Sequence, residues 1–271
     1  MHQPIEHAKI GAASAATLLK SARQAVALTG AGISVPSGIP DFRSAGGLWS
    51  HFRPDEYATL KVFLQNPTKA WQLFRAMAKM LMDKKPNAAH DALATLEKMG
   101  RLTAIITQNI DGLHQAAGSE RVVEMHGASS VLHCLRCGYE EVLDAAVLDA
   151  GDVPLCPECA FALKPKVVLF GEDVAELESV QALAAGCDVL LVIGTSAQVY
   201  PAAALPGLVA RQGGSIIEMN REPSLAGATG IQPDFFLGGD LVRSLPRLVA
   251  QLQKREARKM TAPVISGTQN Q

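Results

Sequence analysis

The sequence predicts an α/β fold: a mostly parallel sheet covered by helices on both faces. Three observations carry that expectation. Short apolar runs rich in Val, Ile, Leu and Ala alternate with helical segments along the chain, the pattern of parallel strands joined by helical crossovers. Four of those runs break abruptly into small or polar residues, at 29–34, 108–111, 194–196 and 220–222; open parallel sheets hold ligands in the crevice at such strand ends. The composition, 48% hydrophobic and 19% charged over 271 residues, suffices for a sizeable core in one large or two unequal units.

The elements follow in order. Residues 11–25 carry Ala, Leu and Lys in a helix-forming sequence. Val26–Leu28 read as the end of a buried strand and run into Thr29-Gly30-Ala31-Gly32-Ile33-Ser34. Gly30 and Gly32 let the backbone turn sharply and approach a ligand closely, and exposed N–H groups there suit a pyrophosphate. The spacing departs from the dinucleotide fingerprint, because Val35 stands where its third glycine is due and Gly38 comes three residues late. An ordinary strand-to-helix turn is the competing reading. Asp41-Phe42-Arg43 then gathers an acid, an aromatic and a base, and Gly46-Gly47 marks a loop.

From Pro54 to Met82 the pattern is helical, interrupted at Asn66-Pro67-Thr68. Trp71, Phe74, Met77, Met80 and Leu81 share one face, either as a core stripe or as the flexible wall of a substrate channel. Ala88–Met99 form a helix closed by Gly100. The strand Leu102–Thr107 opens into Gln108-Asn109-Ile110-Asp111-Gly112, whose amides and carboxylate suit ribose hydroxyls or a carboxamide; an Asx turn is the alternative. Val122–Met125 is a short strand ending at His126-Gly127, and Lys166–Phe170 another that leads into Gly171-Glu172. The helix Ala175–Ala185 precedes the buried strand Asp188–Ile193, which opens into Gly194-Thr195-Ser196. After the helix Ala202–Arg211, Ser215–Met219 ends at Asn220-Arg221-Glu222. Phe235–Leu237 is the last strand, Leu241–Gln253 an amphipathic helix, and 254–271 a tail expected to be mobile.

A net charge of −1 supplies no field for nucleic acid or an anionic membrane. No apolar run approaches the roughly 18 residues of a membrane span. Met1–Ile10 is polar and mixed, without the basic-then-apolar form of a secretory leader, so a cytoplasmic location is expected. Four of the five cysteines form two Cys-x-x-Cys pairs, Cys134/Cys137 and Cys156/Cys159, separated by 18 residues. That spacing matches a tetrahedral four-thiolate zinc site, which leaves no open position for water and is therefore structural. Cys187, just before a strand, reads as a small buried hydrophobe. Among seven histidines, His126 stands beside a glycine at a strand end on the inferred rim, where an imidazole can serve as a general base or merely pack. No Gly-x-Ser-x-Gly elbow or comparable nucleophile pattern appears.

Taken together, these stretches resemble the sirtuins, the NAD-dependent protein-lysine deacylases. The resemblance is carried by Gly30–Ser34, Ser37–Arg43, Thr107–Asp111, Met125-His126-Gly127, the four cysteines, Lys164–Glu172, Gly194–Ser196 and Asn220–Glu222, in family order over roughly 15–253. It implies a Rossmann-like domain made of 11–44, 86–126 and 166–253. A helical insertion, 45–85, and a zinc ribbon, 127–165, would form a second, small domain. It further implies that NAD is consumed as co-substrate and that one structural zinc ion is held by Cys134, Cys137, Cys156 and Cys159.

Residue by residue, the resemblance assigns Gly30, Ala31, Gly32 and the loop to Arg43 to pyrophosphate and the nicotinamide ribose. It places Ile39, Asp41, Ile110 and Asp111 around nicotinamide, Phe42 over the reacting sugar, and Gln108 and Asn109 on its ribose. Gly194, Thr195, Ser196, Asn220, Glu222 and Leu241 would serve the adenosine side. Val168, Phe170, Gly171 and Glu172 would bind the acyl-lysine peptide as an added strand, with His126 as the base and Asn109 beside it as catalytic residues. The implied products are free lysine, nicotinamide and O-acyl-ADP-ribose; protein mono-ADP-ribosylation from the same cleft is the alternative activity. Ser44 and Leu169 depart from common family residues. Members that prefer acidic acyl groups carry Tyr-x-x-Arg where this chain has Phe74-Arg75-Ala76-Met77, so an acetyl or longer aliphatic acyl group is expected. Neither specific nucleic acid nor a membrane is expected as a partner.

Overall fold

A computed structural model describes residues 4–41 and 46–260. The strands are β1 (Ala25–Thr29), β2 (Ala104–Thr107), β3 (Val122–Glu124), β4 (Gly127–His133), β5 (Glu140–Val142), β6 (Lys164–Val167), β7 (Val189–Ile193), β8 (Ser215–Asn220) and β9 (Phe235–Gly238). Six of them form one wholly parallel sheet in the order β3-β2-β1-β7-β8-β9. The chain builds outward from β1 to β3, then returns to the other side of β1 with β7. The order therefore reverses between β1 and β7, and the crevice at a parallel sheet's carboxyl edge opens at such a switch point.

The apolar runs become central strands because both faces of the sheet are buried. Alternate residues of β1 and β7 enter opposite cores. Ala25, Ala27, Val189, Leu191 and Ile193 pack under the helices Pro4–Ser21, Ala88–Lys98 and Leu241–Met260. Val26, Leu28, Leu190 and Val192 pack under Leu177–Ala185 and Leu205–Arg211. A third core joins the insertion helices to the cysteine-bearing segment, through Phe63, Trp71 and Phe74 against Leu132, Cys156, Leu163 and Val167. There the Trp71 indole N–H donates to the Leu163 carbonyl at 2.9 Å.

The expected break at Asn66 is real. The Asn66 side chain accepts from the Lys69 N–H and Pro67 opens the helix Pro67–Leu81, the arrangement of a capped N-terminus with proline in its first turn. Gly100 closes the helix Ala88–Lys98 at φ +64°, while the Arg101 N–H reaches back to the Leu96 carbonyl.

Two expectations need correction. The strand placed over 166–170 in the parallel sheet lies at Lys164–Val167 and pairs antiparallel with β4, in a separate three-stranded sheet β5-β4-β6. Its apolar run Val167–Phe170 resembles that of a buried parallel strand, but its hydrogen-bonding partners come from the cysteine-bearing segment. The tail expected from 254 is helical as far as Met260, because Leu245, Leu248 and Leu252 bind the helix to the first core and the backbone continues past the last buried turn. Residues 261–271 lie outside the described residues, as do the candidate site residues Phe42 and Arg43 and the departure Ser44. No described helix is long and apolar enough to cross a membrane.

Candidate active site and metal centre

The turns after β1 and β7 touch at the switch point. The Gly30 N–H donates to the Ile193 carbonyl at 3.0 Å and the Gly32 N–H to the Gly194 carbonyl at 2.8 Å. A Cβ on Gly32 would stand 2.7 Å from the Gly194 oxygen, and one on Gly30 2.7 Å from the Thr195 Cβ. The two glycines thus have a nearer cause than ligand approach: they let two loops pack backbone to backbone. Thr195 is buried there and accepts from the Gln108 amide at 2.9 Å. Its carbonyl accepts from the Asn220 amide at 3.2 Å. The ends of β1, β2, β7 and β8 are thereby cross-linked. Ser196 is half-buried beside them and Glu222 is exposed. Leu241 is buried in the first core, at the start of the last helix.

Below the rim runs a buried polar chain that the sequence reading missed. Ser34 donates to the Asp111 carboxylate at 2.6 Å and accepts from the Asn109 amide at 3.1 Å. Asp111 also caps the Leu113 N–H at 3.0 Å, so the Asx turn and the rim carboxylate are one residue in both roles. Thr29 donates to Thr107 at 2.8 Å and meets the His114 Nε2 at 2.9 Å. The ring of His114 stands edge-on to that of His90, 4.9 Å between centroids. Burial and then the neighbouring His90 push His114 down to about 3. Burial also lowers His90, against the opposing pull of Asp111 and Asp91. Both rings are therefore neutral at physiological pH and act as hydrogen-bonding supports. Nothing in the local pattern around His90 or His114 distinguishes such a support from a surface histidine; only its burial does.

His126 sits in the turn between β3 and β4. Its Nδ1 lies 3.1 Å from the Gln108 carbonyl oxygen. A carbonyl only accepts, so this contact puts the proton on Nδ1 and leaves Nε2 with a free lone pair. Burial lowers the ring's affinity for a second proton, with the Gln108 carbonyl opposing more weakly. The turn depends on Gly127, at φ +78°, where a Cβ would fall 1.8 Å from the Lys166 oxygen.

His126 and Gln108 border a cavity of about 260 Å³. Its remaining wall comes from Val168, Leu169, Phe170, Gly171 and Glu172 on one side and from Leu73, Phe74, Met77 and Trp49 on another. The apolar helix face therefore divides. Trp71 is wholly buried core, whereas Phe74 and Met77 are buried and also line the cavity. Arg75 leaves this face: it donates to the Asp152 carbonyl and lies over the Trp71 ring at 5.1 Å. Val199, Tyr200 and Pro201, joined by a cis Tyr200–Pro201 bond, complete the rim and carried no signal that the sequence reading used. A second, small cavity of about 20 Å³ gathers Ala31, Ile39, Asn109, Ile110 and Asp111, closed by Met77, Met80 and Leu81. Ile110 and Met77 border both cavities. Asp41 is half-buried nearby, its carbonyl accepting from the Leu48 N–H at 3.3 Å.

The four cysteines converge as their spacing predicts, with all Sγ atoms within 4.8 Å of one another. The Cys134–Cys159 and Cys137–Cys156 pairs stand at 3.5 Å, close to the ~3.8 Å edge of a tetrahedron with Zn–S bonds of about 2.3 Å. Two similar knuckles present them. In each, the first cysteine's N–H donates to the residue five ahead (Tyr139, Phe161) and its carbonyl accepts from the residue four ahead (Gly138, Ala160). That fourth residue is left-handed in both, Gly138 at φ +77° and Ala160 at +55°. Burial opposes ionisation of Cys134, but the N–H groups of Cys137 and Arg136 outweigh it and bring the thiol down to about 7. The set fits zinc and, with four sulfur ligands, gives it a structural role.

The Sir2 family model matches residues 30–201. An NAD-dependent protein deacylase of Pyrococcus furiosus is 44% identical over 245 residues, covering 88% of this chain and 96% of its own. A Sir2 homologue in complex with NAD superposes with a TM-score of 0.82 at 36% identity, covering 89% of this chain and 94% of the other. Sir2Af2 bound to a myristoylated histone peptide superposes at 0.74 and 35% identity, covering 92% and 99%. Motif, fold and relatives agree that the chain belongs to the Sir2 family.

Proposed function

We infer that the chain carries out the reaction of its relatives: it is an NAD-dependent protein deacylase, releasing lysine, nicotinamide and O-acyl-ADP-ribose. The observation that carries this reading is His126, its Nδ1–H held by the Gln108 carbonyl and its ring edge on the large cavity. In this reading the acyl-lysine enters that cavity along Val168–Glu172, and Asp111 and Asn109 meet the nicotinamide carboxamide and its ribose. When bound, NAD would supply an electrophilic sugar carbon that takes the acyl oxygen as nicotinamide leaves, and one water is consumed in completing the products. His126 Nε2 removes a proton from a hydroxyl of that sugar, which frees the oxygen to take the acyl group. Room for the nicotinamide ring beyond the small cavity comes from Met77, Met80 and Leu81, whose unbranched or flexible side chains shift readily. The Gly194–Ser196 turn and Asn220 take the adenosine end; Leu241 contributes from beneath by packing, and Phe42 and Arg43 remain assigned by resemblance. The Rossmann-like unit and the small domain of 45–85 and 127–165 meet at this cleft, and the expected setting is the cytoplasm.

Incubation with NAD and an acetyl-lysine peptide tests the reading. Mass spectrometry is expected to find nicotinamide and O-acetyl-ADP-ribose in equal amounts; ADP-ribose attached to protein instead would overturn it in favour of ADP-ribosyl transfer.

The wall of Leu73, Phe74 and Met77 offers no cation to an acidic acyl group, because Arg75 is engaged with Asp152 and Trp71. A carboxylate buried without a partner costs more than apolar contact returns. Acetyl and longer aliphatic acyl-lysines are therefore expected to react at least tenfold faster than succinyl-lysine. Faster succinyl removal would show a cation in the wall. The pH profile follows from His126. Its conjugate acid ionises below the ordinary 6.5, so the neutral base persists to lower pH than in a free imidazole. kcat/KM is expected to climb with pH to a plateau, with an apparent pKa below 6.5. A midpoint above that value would mean another group limits the reaction.

A further inference from the structure

We propose that Lys164 is a positioning residue for the acylated peptide, acting through Glu172. The proposal rests on the reading that the peptide docks along Val168–Glu172. Lys164 is 1% exposed, although lysine is almost never found so deep without a partner. Its ammonium group meets three acceptors: the Val167 carbonyl at 2.7 Å, Glu172 Oε2 at 3.2 Å and the Pro165 carbonyl at 3.3 Å. An ammonium has three donors, so it is fully satisfied.

The partners lie at the two ends of one short segment. Val167 precedes it and Glu172 closes it. The same Glu172 oxygen also accepts from the Leu169 N–H at 3.0 Å, so one carboxylate oxygen of this cavity-wall residue braces the loop. The outer side of the segment is held by the insertion, with the Phe170 N–H on the Ala58 carbonyl at 2.9 Å and the Leu60 N–H on the Phe170 carbonyl at 3.0 Å. Its start is held by the Val168 N–H on the carbonyl of His126 at 2.9 Å. Lys164 is the post beneath. Methionine would fill the same length without the cost of a buried charge, but could not tie both ends together. Burial lowers the pKa of Lys164 while Glu172 holds the group charged, as a brace requires.

Preordering the edge reduces what a peptide must organise on binding. Steady-state kinetics with acetyl-lysine peptide and NAD varied separately test this. Lys164→Met is expected to raise KM for the peptide about tenfold, the worth of one charge-assisted contact, with KM for NAD and zinc content unchanged. Glu172→Gln is expected to do the same more weakly, because its amide oxygen still takes the Leu169 N–H. The double variant is expected to be no worse than Lys164→Met alone, as for two members of one unit. Lys164→Arg is expected to recover most of the peptide affinity. An unchanged peptide KM in folded Lys164→Met overturns the proposal, as does an equal rise in both KM values. If Lys164→Met does not fold, an unchanged peptide KM in Glu172→Gln overturns it equally. Wild-type protein inert toward every acyl-lysine peptide would instead sink the functional reading beneath it.

Discussion

His126→Ala is expected to lose deacylation by a factor of about 10² to 10⁴ in kcat, the range that a positioned general base contributes. NAD binding and the fold are expected to survive. The side chain makes one described hydrogen bond, to the Gln108 carbonyl, and is absent from all three apolar cores. Leaving that carbonyl without its donor costs roughly 1–3 kcal/mol, which a domain of this size tolerates. The residues assigned to NAD stand on other strand ends and keep their mutual bonds, Gln108 to Thr195 and Asn109 to Ser34 among them. Product formation by mass spectrometry and NAD affinity by calorimetry separate the two effects. Turnover at the wild-type rate would remove His126 from the mechanism, whatever its geometry.

The second large effect concerns the metal. Cys156→Ser is expected to abolish zinc binding and unfold the module between β4 and β6, while the parallel sheet remains. Between Cys134 and Cys159 the chain has only the three residues of β5 and the short helix Ala145–Asp149 as regular structure. So little buried surface leaves the stability to the metal, and apparent binding energies of structural zinc run to about 10–16 kcal/mol in small modules. The damage would spread to activity because Leu163 accepts from Trp71, and the helix that carries Trp71 lines the cavity with Leu73, Phe74 and Met77. The first two cores contain none of the four cysteines, so calorimetry is expected to show an early transition lost and a later one kept. A zinc-free variant that is folded and fully active would contradict this.

Much of this protein was legible in advance, for identifiable physical reasons. A parallel strand buried on both faces must be an apolar run, so β1, β2, β7 and β8 announce themselves. Their polar endings lie along the carboxyl edge of the sheet, the edge at which open parallel sheets hold ligands. Cysteine spacing determines a knuckle locally, within the reach of a few bonds, and the zinc centre followed from it. The break at Asn66-Pro67 was equally local.

Other features depend on contacts that no local pattern records. β6 joins β4 rather than the main sheet, and Lys164–Val167 carries no mark of its partner. Leu241 is assigned to the adenosine side by resemblance, and only the structure shows its side chain packed in the first core. The stripe of the insertion helix is periodic throughout, and only packing separates Trp71 as core from Phe74 and Met77 as cavity wall. His90 and His114 become neutral supports because the fold buries both. The sequence by itself thus determined the class of fold, the rim and the metal ligands, since each is set by residues near in the chain. Tertiary structure alone decided which glycines serve loop packing, which way His126 holds its proton, and that Glu172 is tied to a buried lysine. Those outcomes belong to atoms brought together across long stretches of chain, and burial sets their energies.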